Sequence, residues 1–99
     1  MQKHVKTTGY VSGVVQAKVG LCYLTAVQIN TDGSNNATVT VYDNITNSGK
    51  ILFKMTIAGT AYLGGRDWNI PMLAEIGLCA ELTGTGAEMA IEYMEDLVW

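Results

Sequence analysis

The sequence predicts an all-β fold: a single-domain antiparallel β-sandwich, jelly-roll-like, with a short extended N-terminal arm. Three observations predict it. Apolar and polar residues alternate with period two along most of the 99-residue chain, as they do on strands with one buried face. Clusters of Gly, Asn, Asp and Ser recur at intervals of roughly ten to fifteen residues, the turn spacing of a β-sandwich or barrel. The composition is 48% apolar and 15% charged and rich in β-branched residues, Gly and Tyr, where a helical protein carries more Ala, Leu, Glu and Lys. A chain of this length forms one domain and buries about 60–70% of its unfolded surface, enough for one core without disulfides or metals. The organisation read from it is an arm over 1–9 and a sandwich over 10–99.

The arm carries Lys3, His4 and Lys6, with Val5 as its one large aliphatic residue inside. It is expected to add little to the core, to be poorly ordered in the free protein, and to serve at an interface. Over 19–30, Leu21, Tyr23, Thr25, Val27 and Ile29 share one face, and Cys22, Leu24, Ala26 and Gln28 the other, which reads as a strand buried on both sides. Residues 31–36, Thr-Asp-Gly-Ser-Asn-Asn, are a turn by composition. Next comes a hairpin. Val39 and Val41 point one way and Thr38, Thr40 and Tyr42 the other; after the polar tip 43–49 the alternation resumes with Ile51, Phe53, Met55 and Ile57.

Ala58-Gly59-Thr60 breaks that strand, and 64–69, Gly-Gly-Arg-Asp-Trp-Asn, reads as an exposed loop carrying one large aromatic. Segment 71–82 has two readings: a short helix capped by Asn69 and containing Met72, Leu73, Ile76 and Leu78, or a strand over 77–82. After the turn 83–86, Met89, Ile91 and Tyr93 alternate with Glu88, Ala90 and Glu92, and the strand reading is taken over a helix built on Ala87, Ile91, Met94 and Val98.

Charge narrows the function classes. The net charge is -3, with five lysines against two aspartates up to residue 54 and one arginine against seven carboxylates beyond it. Such an acidic half repels nucleic acid, and the lysines lack the aromatic-rich basic patch of a phosphate-binding surface. No segment approaches the roughly 20 apolar residues of a membrane span, and the start lacks a signal peptide's apolar stretch, so the chain is expected to be made in the cytoplasm. Cys22 and Cys79 are expected to be free buried thiols in that compartment. Low charge on a small domain leaves a weakly polar outside, the kind that meets another protein, which points to a homo-oligomer or an assembly role.

Chemistry finds little to build on. His4 is the only histidine and sits in the arm, so neither a Ser-His-Asp set nor a His-containing metal site is expected on a rigid frame. Glu88, Glu92, Glu95 and Asp96 read as a solvated face, and Asp32-Gly33-Ser34 misses the spacing of a calcium loop. No cofactor is expected, and no enzymatic activity. Trp68 and Trp99 either contact a partner, since exposed indoles are enriched at interfaces, or fold back onto the domain; Arg66 in the same loop as Trp68 and Tyr62 just before it are further interface candidates.

The order Leu24-Thr25-Ala26-Val27-Gln28-Ile29-Asn30-Thr31, a Gly/Asn turn, Ala37-Thr38-Val39-Thr40-Val41-Tyr42-Asp43, Gly49-Lys50-Ile51-Leu52 and Gly77-Leu78-Cys79-Ala80-Glu81-Leu82-Thr83-Gly84, followed by a strand ending Ile91-Glu92-Tyr93, resembles small β-sandwich virion proteins of tailed bacteriophages. The resemblance spans roughly residues 20–94 and consists of strand and turn residues, with no catalytic signature. It implies a capsid decoration (cement) protein bound to the major capsid protein or another virion protein, often a trimer, at the capsid surface of the particle. A tail, neck or fibre-base component is the alternative within that class. A carbohydrate-binding module, with Trp68 and Tyr62 as stacking platforms, is the alternative from another class.

Overall fold

The computed structural model describes residues 5–96. They form eight strands, β1 (Lys6–Thr7), β2 (Val14–Val19), β3 (Cys22–Asn30), β4 (Ala37–Asp43), β5 (Lys50–Ile57), β6 (Leu63–Ala74), β7 (Gly77–Thr83) and β8 (Glu88–Met94), with one 3₁₀ turn at Gly59–Ala61. There is no α-helix among the described residues. Two four-stranded antiparallel sheets, β1-β8-β3-β6 and β2-β7-β4-β5, pack face to face. The primary pairs are nested: β4 with β5, β3 with β6, β2 with β7 and β1 with β8. One long hairpin with its tip between β4 and β5 has thus been rolled up. The β3–β8 and β4–β7 pairings then close each sheet. That connectivity is a jelly roll, as the alternation and turn spacing led one to expect.

The core lies between the sheets and is built from alternate residues of the inner strands. Val39 and Val41 of β4, Leu78, Ala80 and Leu82 of β7, and Met89 and Ile91 of β8 are all buried. Burying each large aliphatic side chain contributes about 1.5–3 kcal/mol before chain entropy is counted. On β3 strict alternation fails. Leu24 and Ala26 pair with Tyr93 and Glu92, which are consecutive on β8, so Thr25 is an extra residue and the strand carries a β-bulge there. The bulge shifts the parity, and Cys22, Leu24, Val27 and Ile29 all face the core. Apolar residues on both sides of β3 in the sequence therefore reflect a change of phase more than a strand buried on two faces.

Two expectations are corrected by the strands, and the open choice over 71–82 falls to its strand reading. Residues 64–69 are part of β6, an edge strand, and the segment that bulges out against Thr25 lies later, at 68–71, between Asp67 (paired with Ala26) and Met72 (paired with Leu24). Pro71 sits in that bulge, where its missing N–H breaks no ladder bond. The helix considered over 71–82 is replaced by the end of β6, a turn at Glu75-Ile76, and β7. The arm expected over 1–9 is, in its described part, an edge strand: Lys6 and Thr7 pair with Tyr93 and Glu92, the Thr8 N–H donates to the Ile91 carbonyl at 3.0 Å, and the Ile91 N–H donates to Thr8 Oγ1 at 3.0 Å. Val5 and Lys6 are exposed, but backbone pairing fixes the segment.

Candidate functional site

The two long sides of the sandwich are closed by side chains the sequence did not place there. On one side the edge strands are β5 and β6, and Phe53 and Trp68 meet edge to face with ring centroids 5.1 Å apart and planes at 89°. The Arg66 guanidinium lies 5.5 Å from the centroid of the Trp68 ring. Trp68 is partly buried against the core, so it seals an opening and does not stand free as a platform. On the other side the edge strands are β1 and β2, and Glu95 takes Lys6 at 2.6 Å and Lys18 at 2.5 Å. Hydrogen bonds from Lys18 and Lys6 hold the Glu95 carboxyl down at about 2, and the same bonds raise both lysines.

The two ends differ in character. At one end the β1–β2, β3–β4, β5–β6 and β7–β8 connections interlock. The Asp32 carboxylate accepts the Asn35 and Ser34 N–H groups at 2.8 and 2.9 Å, an Asx turn that lowers its pKa and accounts for the turn read over 31–36. Gly59 donates its N–H to Asn36 Oδ1 at 2.9 Å, and a Cβ there would lie 2.3 Å from the Ser34 carbonyl carbon, so only glycine fits. Tyr62, with φ of 65°, lies over Gly33 and gives its carbonyl to the Thr31 N–H at 2.8 Å. It is exposed, yet it belongs to this loop cluster, six residues before Trp68 and about 20 Å from it at strand rise. Tyr62 and Trp68 therefore do not form one stacking surface.

At the opposite end the β2–β3, β4–β5 and β6–β7 connections present Val19, Leu21, Ile45 and Ile76, which are 41–60% exposed. They are neighbours: Gly20 donates to the Ile76 carbonyl at 2.9 Å, Gln16 Nε2 donates to the Ile45 carbonyl at 2.8 Å, and a Cβ on Gly77 would touch Ile45 Cγ2 at 3.3 Å. Asp43 holds this end in shape. Its buried carboxylate accepts the N–H groups of Glu75, Ile76 and Gly77 at 3.1, 2.8 and 3.4 Å. Burial pushes its pKa up, but the three backbone donors outweigh burial and leave it below the usual value. The sequence reading assigned Asp43 to the hairpin tip and missed this role; an aspartate ending an alternating strand was the only signal.

A groove of about 500 Å³ lies over the outer face of the β3–β6 pair. Its floor is Ala26, Gln28 and Gly65, and Tyr10, Leu63, Arg66, Asp67 and Glu92 stand around it. The Tyr10 hydroxyl donates to Gln28 Oε1 at 3.0 Å, which fixes the ring against the groove. Among the residues singled out from sequence, Arg66 lines the groove, Trp68 and Lys6 close opposite sides, and Tyr62 belongs to the loop end. Lys3, His4 and Trp99 lie outside the described residues. Cys22 and Cys79 are free and buried. No family model, curated protein or solved structure matches the chain.

Proposed function

We propose that the chain is a non-enzymatic structural protein of a tailed-phage particle, a capsid decoration protein that binds the head lattice and strengthens it by contact. The observation that carries the docking role is the apolar end formed by Val19, Leu21, Ile45 and Ile76, held in shape by Asp43. Four aliphatic side chains on short, braced connections form a pre-shaped patch of the kind that marks a protein contact. Residues 5 and 96, the limits of the described chain, are also close to this end, because Lys6 pairs with Tyr93 and Tyr23 pairs with Met94. The phage assignment rests on the resemblance of the strand and turn residues, and trimeric assembly rests on it too.

The test uses the purified protein and heads of the phage whose genome encodes it. Light scattering is expected to give a homo-oligomer, and co-sedimentation is expected to give saturable binding to heads. Val19→Glu with Ile76→Glu should weaken head binding at least tenfold and leave the thermal midpoint within about 3 °C, since both positions are exposed. A monomer at all concentrations that ignores the heads overturns the reading, and binding to tails alone moves it to the tail.

A further inference from the structure

We infer that the groove over the β3–β6 face is a binding site for a neutral saccharide chain, with Tyr10, Gln28, Asp67 and Glu92 as its principal contacts. The inference does not rest on the decoration role, because the groove lies on a broad face and the docking patch on one end.

The register of the sheet places the groups. Ala26 is paired with Asp67 on β6 and with Glu92 on β8, so two carboxylates flank one small residue on three neighbouring strands. Strands lie about 4.8 Å apart, which puts the two Cα atoms roughly 10 Å apart with a methyl group between them. Two positions along, Gln28 is paired with Gly65 on one side and Ala90 on the other. Gly65, at φ of 143°, has no side chain, and a Cβ would lie 2.1 Å from the Val27 carbonyl oxygen. The floor is thus low along its length, and the walls carry groups that both donate and accept. Tyr10 forms one wall with its ring orientation fixed through Gln28.

Chemistry selects the ligand. Among the described residues Asp67 and Glu92 enter no ion pair, and their charge disfavours phosphates and nucleic acid. A lipid tail would desolvate two carboxylates and an amide with nothing to replace the water. A saccharide offers paired hydroxyls that carboxylate and amide planes meet two at a time, and a C–H face that rests on an aromatic ring. The volume suits two or three sugar rings, and an open trough admits a chain from either end. The sugar-binding alternative raised from the sequence thereby moves from Trp68 and Tyr62 to a different set of residues.

The experiment is an NMR titration of the ¹⁵N-labelled full chain with maltohexaose, cellohexaose, mannohexaose and chitohexaose, each to about 10 mM, and with hexalysine as a cationic control. At least one hexasaccharide is expected to shift the amides of Gln28, Gly64 and Gly65 saturably while leaving those of Val19 and Ile76 in place. Tyr10→Ala and Glu92→Ala should each weaken that binding at least fivefold, and Tyr62→Ala should leave it within twofold. Tyr10→Phe keeps the ring and tests the site should Tyr10→Ala lose its dispersed spectrum; a loss of two- to threefold is expected. Absence of shifts with every saccharide overturns the inference, as does a response to hexalysine alone, shifts centred elsewhere, or binding indifferent to Tyr10 and Glu92.

Discussion

The carboxylate of Asp43, at the end of β4, accepts the backbone N–H of Ile76 at 2.8 Å across 33 positions of sequence. With the Glu75 and Gly77 donors it ties the β6–β7 turn to the neighbouring strand, and the docking patch takes its shape from that tie. Asp43→Ala removes a buried acceptor from three donors, so a loss of about 2–4 kcal/mol is expected in urea unfolding, with Asp43→Asn losing about half as much. A loss below about 0.5 kcal/mol for Asp43→Ala would show that the turn is held by other contacts.

Acid should act through the same residue and through Glu95. Both carboxyls titrate lower in the folded chain than their ordinary values of 3.8 and 4.5. A depressed folded pKa gives stability that is present above the unfolded value and lost as pH falls through the folded one. The thermal midpoint should therefore be flat down to about pH 4.5 and then fall, with the Glu95 part spread from 4.5 to about 2. Glu95 is surface-exposed and Asp43 is buried, so 0.5 M NaCl should flatten the Glu95 part and spare the Asp43 part. Glu95→Gln and Asp43→Asn should each remove one component of the acid slope; a slope unchanged in both variants would refute the assignment.

The two thiols should be inert until the sandwich opens. Cys22 lies in the core and burial pushes its pKa up to about 11; burial raises Cys79 as well. A thiol reagent at pH 8 should label neither within minutes in the native protein and both at once in guanidinium. One rapidly labelled native thiol would mean that a sheet edge opens readily.

The start of the chain should now behave as structure. Deleting residues 2–9 removes β1 and the Lys6 contact to Glu95, and leaves one edge of β8 unpaired over Glu92 and Tyr93. A fall of several degrees in thermal midpoint is expected, where a free arm would give none. Lys6→Ala alone should cost much less, because an exposed ion pair contributes about 0–1 kcal/mol.

Legibility in the sequence followed the pleat. Wherever strands keep strict period two, as in β4 and β8, the inward residues Val39, Val41, Met89 and Ile91 were readable, because alternation is a local property. On β5 the alternation read through Ile51, Phe53, Met55 and Ile57 fails at its start: Val41 and Tyr42 pair with Phe53 and Ile51, so Leu52 is an extra residue that packs on the core and Ile51 turns outward. Segment 64–69 read as a loop because Gly64 and Gly65 are turn formers. Their reason is tertiary: a Cβ on Gly64 would meet Ile57 Cγ2 at 2.5 Å. The groove was not legible, since Tyr10, Gln28, Asp67 and Glu92 come from four separate segments that only the sheet register brings together. Trp68 drew notice as a bulky residue among glycines, but its partner Phe53 lies on the other sheet.

The bulge at Thr25 gives the sharpest test of that register. With Thr25 removed, Leu24 and Ala26 become consecutive and match Tyr93 and Glu92 one to one. Cys22, Leu24, Val27 and Ile29 then fall on one face by simple alternation, so the core set is kept. The deletion also removes a buried hydroxyl that has no hydrogen-bond partner among the described residues. Deleting Gln28 instead turns Ile29 outward, since a one-residue slip moves every following side chain to the other face. The Thr25 deletion is therefore expected to fold cooperatively with an unfolding free energy reduced by no more than about 2 kcal/mol, whereas the Gln28 deletion, which exposes a fully buried side chain, should lose about 3 kcal/mol or more. Thr25→Val, which keeps the bulge and drops only the hydroxyl, should be neutral or stabilising. Two deletions three positions apart on β3 with equal damage would mean that Thr25 is not where the strand changes phase.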